Sequence, residues 1–198
     1  MNINLDDVKN CDLSFVSEFY LDKYERHRIN EMNVGQEQGE HYKLLYYLTT
    51  LMENELILDL GTRDGLSALC LSHNKKNNVI TYDLSNKPEE LLQYEHKLPN
   101  LTFKQMNVFD ESLDVFKKSK LIFLDLDPHD GIQEKRFMQL MESIDYEGII
   151  VADDIVWFPN MANWWANIKQ RKYDVTRFGH GSGTGLILFS ENINVEGI

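Results

Sequence analysis

Acidic side chains recur where sheet-forming segments end. Asp59 lies in the apolar run Leu56-Ile57-Leu58-Asp59-Leu60, Asp83 closes Val79-Ile80-Thr81-Tyr82, and Asp125 closes Leu121-Ile122-Phe123-Leu124. Asp153 and Asp154 follow Gly148-Ile149-Ile150-Val151-Ala152. One such acid is commonly a helix cap or a turn residue. Several at the ends of neighbouring strands would converge on one edge and bind polar groups there. The run at Asp59 continues into Gly61-Thr62-Arg63-Asp64-Gly65 and then an apolar helical pattern from Leu66. Gly61 allows a positive φ and a close backbone approach, as a sharp strand-to-helix turn over a ligand requires. The spacing is G-x-x-x-G and not the G-x-G-x-x-G of dinucleotide binding. A carboxylate just before the first glycine repels a pyrophosphate but suits a ligand with an ammonium group. Asp83, about twenty residues further on, is placed to accept hydrogen bonds from two ribose hydroxyls. His129, between Asp127 and Asp130, is a candidate general base, since histidine is the side chain whose chemistry suits proton transfer near neutral pH; a structural histidine is the alternative.

These residues need a scaffold that aligns strand ends. Strand signals at 56–60, 79–83, 101–106, 121–125 and 148–153 alternate with helical patterns at 66–71, 88–94, 111–117, 131–143 and 160–172. Apolar strands alternating with helices predict a parallel sheet covered on both faces, with ligands at the carboxyl ends of the strands. Two closing strands, 173–178 and 186–190, are joined by a link too short for a helical crossover, so they are expected to be antiparallel to each other. Residues 36–54 carry the apolar spacing of a helix that packs on the sheet. The stretch before it has short helical patterns, with Phe15, Phe19 and Tyr20 as one apolar stripe.

The chain has 198 residues, enough for one domain and too few for two. Its expected organisation is a single domain over 1–198, with a helical extension at 1–54 and a core at 55–190. A net charge of −12 argues against nucleic acid as a partner, because phosphate contacts need clustered Lys and Arg. No apolar run reaches the ~18 residues of a membrane span, and the N-terminus lacks a signal-peptide pattern. Cys11 and Cys70 are the only cysteines and suggest a reducing compartment; the expectation is a cytoplasmic protein. Homo-oligomerisation is left open.

Asp59-Leu60-Gly61-Thr62-Arg63-Asp64-Gly65 resembles the first motif of class I S-adenosylmethionine-dependent methyltransferases, acid-x-Gly-x-x-x-Gly. The resemblance covers residues 56–190. It implies an α/β fold: a Rossmann-like, doubly wound, seven-stranded, mostly parallel sheet with a C-terminal antiparallel hairpin strand. It implies S-adenosylmethionine over the Gly61–Gly65 turn, with Asp59, Thr62, Arg63 and Ser67 around it. Asp83 would hold the ribose and Asn107, with Asp110 as its rival, the adenine. Asp125 would lie beside the reactive end.

The fourth and fifth strand ends are similar to those of metal-dependent small-molecule O-methyltransferases, including the catechol type. There an acid ends the fourth strand and an Asp-Asn or Asp-Asp pair the fifth. By that resemblance Asp125, Asp153 and Asp154 are metal ligands. Three carboxylates so close would repel unless a cation or protons neutralised them, and oxygen donors suit Mg²⁺ or another divalent cation. The ion would lower the pKa of an acceptor hydroxyl and aim it at the methyl group. Catechol-type enzymes place a lysine base three residues after the fourth-strand acid. Here that position is Pro128, and His129 is the nearest candidate base. The pattern is therefore closer to bacterial and viral small-molecule or sugar methyltransferases.

Trp157 and Phe158, in the loop after the acid pair, would wall a substrate pocket, whereas Trp164 and Trp165 read as helix core. Gln36, Glu37 and His180 are further polar residues that could border the site. The expected activity is methyl transfer to a hydroxyl of a small molecule, a sugar or saccharide being preferred (EC 2.1.1 class). The rivals are a metal-independent methyltransferase, a non-catalytic nucleoside-binding protein and an NAD-dependent oxidoreductase.

Overall fold

The structure, a computed structural model, describes residues 1–18, 41–93, 95–179 and 181–198. The elements are β1 (Asn2–Asn4), α1 (Tyr42–Thr50), β2 (Leu56–Leu60), α2 (Leu66–Ser72), β3 (Asn78–Asp83), α3 (Glu89–Gln93) and β4 (Leu101–Gln105). They continue with α4 (Leu113–Lys118), β5 (Ser119–Leu124), α5 (Ile132–Ser143), β6 (Ile149–Ala152), α6 (Pro159–Asn167), β7 (Arg171–Asp174), β8 (Gly185–Leu188) and β9 (Asn194–Glu196).

Seven strands form one sheet in the order β4-β3-β2-β5-β6-β8-β7. The pairs among β2 to β6 are parallel, and β8 runs antiparallel to both β6 and β7. The chain leaves β2 outward to β3 and β4, then returns to lay β5 on the other side of β2. That reversal opens a crevice at the carboxyl ends of β2 and β5, the place where open α/β sheets bind ligands.

The alternation of side chains along each strand divides the core. Ile57, Val79, Leu121, Phe123 and Val151 pack on one face with Leu44, Leu45 and Leu48 of α1 and Leu69 of α2. Leu58, Leu60, Tyr82, Ile122, Leu124 and Ile150 pack on the other with Phe116 of α4 and Phe137 and Met141 of α5. Asp59 therefore shares the face of Ile57 and points beneath α1 and α2. Its neighbours in register are Thr81 on β3 and Phe123 on β5.

Several boundaries differ from the sequence pattern. The residues expected as helix to 172 leave α6 at Asn167, because Lys172 turns its Nζ back onto the carbonyls of Ala166 and Ile168 at 3.0 and 3.1 Å and β7 begins at Arg171. The closing strand expected to reach Phe178 ends at Asp174, and a 3₁₀ turn at Thr176–Phe178 buries Phe178. The N-terminal segment, expected to be helical, begins with β1, which pairs in parallel with β9 as a separate two-stranded sheet. Segments of three residues are too short to show a period of two. Two 3₁₀ helices follow, Leu5–Asn10 and Ser14–Glu18. Phe15 stacks on His73 with ring centroids 3.4 Å apart; Phe19 and Tyr20 lie outside the described residues. No helix among the described residues is long and apolar enough to cross a membrane.

The crevice depends on one close approach. Gly61 has φ +110°, and a Cβ there would lie 2.0 Å from the carbonyl oxygen of Asp125. Gly65 has φ +89°, and a Cβ there would meet the Leu91 side chain of α3 at 2.7 Å. Gly61→Ala is expected to destabilise the protein by roughly 2 kcal/mol or more, through positive φ and backbone overlap together. Urea unfolding measures this; a change below about 0.5 kcal/mol would show that the turn has room to move.

Candidate active site

The β2–α2 turn is hung on β3. The amides of Gly61 and Thr62 both donate to the carbonyl of Tyr82 at 3.0 Å, and the amide of Arg63 donates to Asp83 Oδ2 at 2.8 Å. The amide of Ser85 donates to the other oxygen, Oδ1, at 2.7 Å. Asp83 is thus fixed at the rim by two backbone amides. Each carboxylate oxygen keeps acceptor capacity for a ligand hydroxyl.

Two adjoining cavities open over this turn. The smaller, ≈ 350 Å³, is lined by Thr62, Ser67, Phe123 and Asp153 among others. The larger, ≈ 690 Å³, runs past Asp83, Asn107, Phe109 and Arg136. Gly61, Arg63, Asp125, His129, Asp154 and Trp157 line both and so mark their junction. Of the residues expected to hold a cofactor, Gly61, Thr62, Arg63, Ser67, Asp83, Asn107 and Asp125 line one or both cavities. Gly65 and Asp59 line neither.

Asp59 lies under the turn instead. It is fully buried and accepts a hydrogen bond from Thr81 Oγ1 at 2.6 Å, and the Thr81 hydroxyl also contacts that of Thr62. Its place on the α1/α2 face of β2 puts it there. Burial pushes its carboxyl up to about 7, against the opposing pull of Thr81, Ser67 and His41.

Asn107 accepts the amide of Phe109 at 3.0 Å and caps the short turn at Val108–Asp110. It lines the larger cavity, and Asp110 does not. Arg136 of α5, which carried no signal in the sequence, lies 3.9 Å over the Phe109 ring at this end.

The acids at the ends of β5 and β6 are brought together with two histidines. His129, with φ +55°, faces Asp154 Oδ2 through Nδ1 at 3.5 Å. Its Nε2 faces Asp125 Oδ1 at 3.6 Å and Asp127 Oδ1 at 3.4 Å. Asp130 instead accepts the amide of Ile132 at 2.9 Å, in the turn that leads into α5. Asp153 turns away from this group towards His41, whose Nδ1 lies 3.4 Å from Asp153 Oδ1. Both are buried, and the His41 ring packs against Phe123 and Tyr42 at 4.6 and 4.9 Å. The only sign of His41 in the sequence is its position at the start of the apolar helix. Burial first, then Asp153, Asp154 and Asp59, holds the Asp125 carboxyl well above the usual carboxylate range, and Arg63 opposes them.

The loop after β6 is tied down by the link that precedes β8: the amides of Ile155 and Val156 donate to the carbonyls of Gly183 and Ser182 at 3.2 and 2.9 Å. Trp157 and Phe158 are exposed there, edge to face at 5.6 Å. Trp164 is buried in the core. Gln36, Glu37 and His180 lie outside the described residues.

No protein-family model and no curated protein matches the sequence. Solved structures match the fold. A Staphylococcus aureus protein assigned as a caffeoyl-CoA O-methyltransferase is 14% identical, with 92% of this chain and 94% of that one covered and a TM-score of 0.62. The O-methyltransferase TomG of Streptomyces achromogenes, involved in tomaymycin synthesis and solved with SAM, is 13% identical over 89% and 94% of the two chains, with a TM-score of 0.58. An O-methyltransferase from Bacillus cereus, solved with SAH, is 14% identical over 88% and 94%, with a TM-score of 0.55. The chain has the Rossmann-like fold of class I methyltransferases.

The raised Asp59 carboxyl has a consequence for stability. Between about pH 4 and 7 the folded state keeps a proton there that the unfolded chain has lost, so Asp59 makes stability fall as pH rises through this window. Asp59→Asn removes that dependence. Denaturant unfolding at pH 5 and pH 8 is expected to show the variant gaining on the parent protein by a few kcal/mol at most. A difference that does not change with pH would mean that Asp59 is ionised when buried.

Proposed function

We propose that this protein is an S-adenosylmethionine-dependent methyltransferase that moves a methyl group to a hydroxyl of a small molecule with the help of a divalent cation (EC 2.1.1 class). The observation that carries this reading is the junction of the two cavities. A nucleoside-sized cavity with a carboxylate at its rim meets a second cavity at Asp125, His129 and Asp154. The fold shared with O-methyltransferases supports it.

In this reading the amino-acid end of the cofactor lies over the Gly61–Ser67 turn, near Thr62 and Ser67. Asp83 accepts both ribose hydroxyls and Asn107 contacts the adenine. The sulfonium is already reactive, so most of the rate comes from holding the methyl group and the acceptor oxygen in line. The acids fit a cation: Asp125 is pushed towards its protonated form chiefly by burial and by Asp153 and Asp154, a repulsion that a positive ion would relieve. The ligands expected from the sequence are Asp125, Asp153 and Asp154. A bound divalent cation would supply Lewis acidity towards the acceptor hydroxyl. The acceptor proton passes to His129, with Asp127, whose side chain is 99% exposed and lies 3.4 Å from His129 Nε2, as its outlet to water.

The acceptor we favour is a sugar or saccharide. Trp157, which lines both cavities, offers a flat apolar face with Phe158 packed against it, while the acids beside it suit paired hydroxyls.

S-adenosylhomocysteine is expected to raise the melting temperature and NAD is not; stabilisation by NAD alone would sink the reading. Asp83→Ala is expected to weaken S-adenosylhomocysteine about tenfold or more, or roughly 1.4 kcal/mol. Transfer of labelled methyl to a panel of sugars and phenols tests turnover. Binding without turnover over the whole panel would leave a nucleoside-binding protein. Activity that survives complete chelation would leave a metal-independent methyltransferase.

A further inference from the structure

We infer that the ion site of this chain is a mixed nitrogen–oxygen site made by Asp125, His129 and Asp154, that His41 withdraws Asp153 from it, and that it takes a first-row transition ion in preference to Mg²⁺. The inference deepens the methyltransferase reading and rests on it for the role of the ion, not for its binding.

One ligand atom from each of Asp125, His129 and Asp154 can be chosen so that all three lie within 4.8 Å of one another. Donors around one first-row ion bound at about 2.1 Å are roughly 3 to 4 Å apart, so the three need only a small contraction. All three line both cavities, which places them where a cofactor and an acceptor would meet. Asp153 lines the smaller cavity alone and is 6% exposed. Its Oδ1 lies 3.4 Å from His41 Nδ1, and the His41 ring packs against Phe123 and Tyr42. Recruiting Asp153 would cost that buried pair.

The backbone sets His129 towards the acids. Its amide donates to the carbonyl of Leu126 at 3.1 Å in a turn directly after β5, and Asp130 and Gly131 then start α5. Asp154 comes from the other side, its carbonyl accepting the amide of Trp157 at 3.0 Å. Both loops leave adjacent parallel strands, so the imidazole and the two carboxylates meet across the β5–β6 gap.

The donor set decides the ion. Mg²⁺ demands oxygen ligands and keeps its waters, whereas an imidazole nitrogen suits Mn²⁺, Fe²⁺, Co²⁺, Ni²⁺ and Zn²⁺. The same histidine that replaces the expected third carboxylate therefore changes the metal class. A His129 held as a ligand no longer takes the acceptor proton, which on this inference passes instead to the exposed Asp127 beside it.

The test uses the full chain, stripped with chelator and titrated with Mn²⁺ while free Mn²⁺ is followed by electron paramagnetic resonance. Pulsed spectra of the bound ion are expected to show coupling to a nitrogen of the protein, and a tenfold excess of Mg²⁺ is expected not to displace it. His129→Asn tolerates the positive φ and is expected to lose the nitrogen coupling and about tenfold or more in Mn²⁺ affinity. Asp153→Asn is expected to keep both. No bound Mn²⁺, bound Mn²⁺ without nitrogen coupling, easy displacement by Mg²⁺, or loss with Asp153→Asn but not with His129→Asn would each overturn the inference. The parent protein's own spectrum decides even if a variant fails to fold. Stabilisation by S-adenosylhomocysteine, measured on the same sample, separates the two readings. Nitrogen-coupled Mn²⁺ without it keeps the ion site and removes the methyltransferase; the reverse removes only the ion site.

Discussion

Neighbouring strands of a sheet are about 4.8 Å apart, so acids at their carboxyl ends are held close whatever their side chains prefer. Here β3, β2, β5 and β6 are adjacent and bring Asp83, Asp59, Asp125 and Asp153-Asp154 to one end of the sheet. The surrounding structure answers that repulsion residue by residue. Asp83 is bonded to two backbone amides, Asp59 is sunk under the turn with Thr81, Asp153 faces His41, and His129 lies among Asp125, Asp127 and Asp154. The Asp125 pKa stays raised by burial and by the neighbouring acids, which Arg63 opposes.

The crevice that makes these acids useful follows from chain order. Because β5 returns to the other side of β2, the turn after β2 has no strand above it and is free to carry a ligand. The price is a backbone approach so tight that Gly61 alone fits beneath the carbonyl of Asp125. The loops that face the turn are each anchored: one by the hydrogen bond from the Ile132 amide to Asp130 at the start of α5, the other by hydrogen bonds to Ser182 and Gly183. A site built on anchored loops can hold reacting groups in line without paying to order them at each turnover.

Much of the scaffold was legible from the chain alone. The inner strands β2, β5, β6 and β8 carry β-sized apolar runs, and the alternation of strand and helical signals announces a parallel sheet with its ligand end. Legibility failed where a period cannot be seen or where a distant partner decides. β1 and β9 are three residues each and exist because they pair with each other across nearly the whole sequence. The early end of α6 depends on Lys172 turning back onto its carbonyls.

The same division holds at the site. Residue types and spacing determined that a glycine turn, a rim carboxylate at Asp83 and acids after β5 and β6 would share one sheet edge, because strand ends align whenever strands pair in parallel. Which side chains meet there was decided by tertiary structure. Asp59 left the cavity because its place in the alternation of β2 turns it under α1 and α2. His41, more than a hundred residues from Asp153, reaches it only because α1 packs on that face, and His129 reaches Asp154 only because β5 and β6 are neighbours. Spacing along a chain carries no information about contacts of that range, since they arise from how the elements pack.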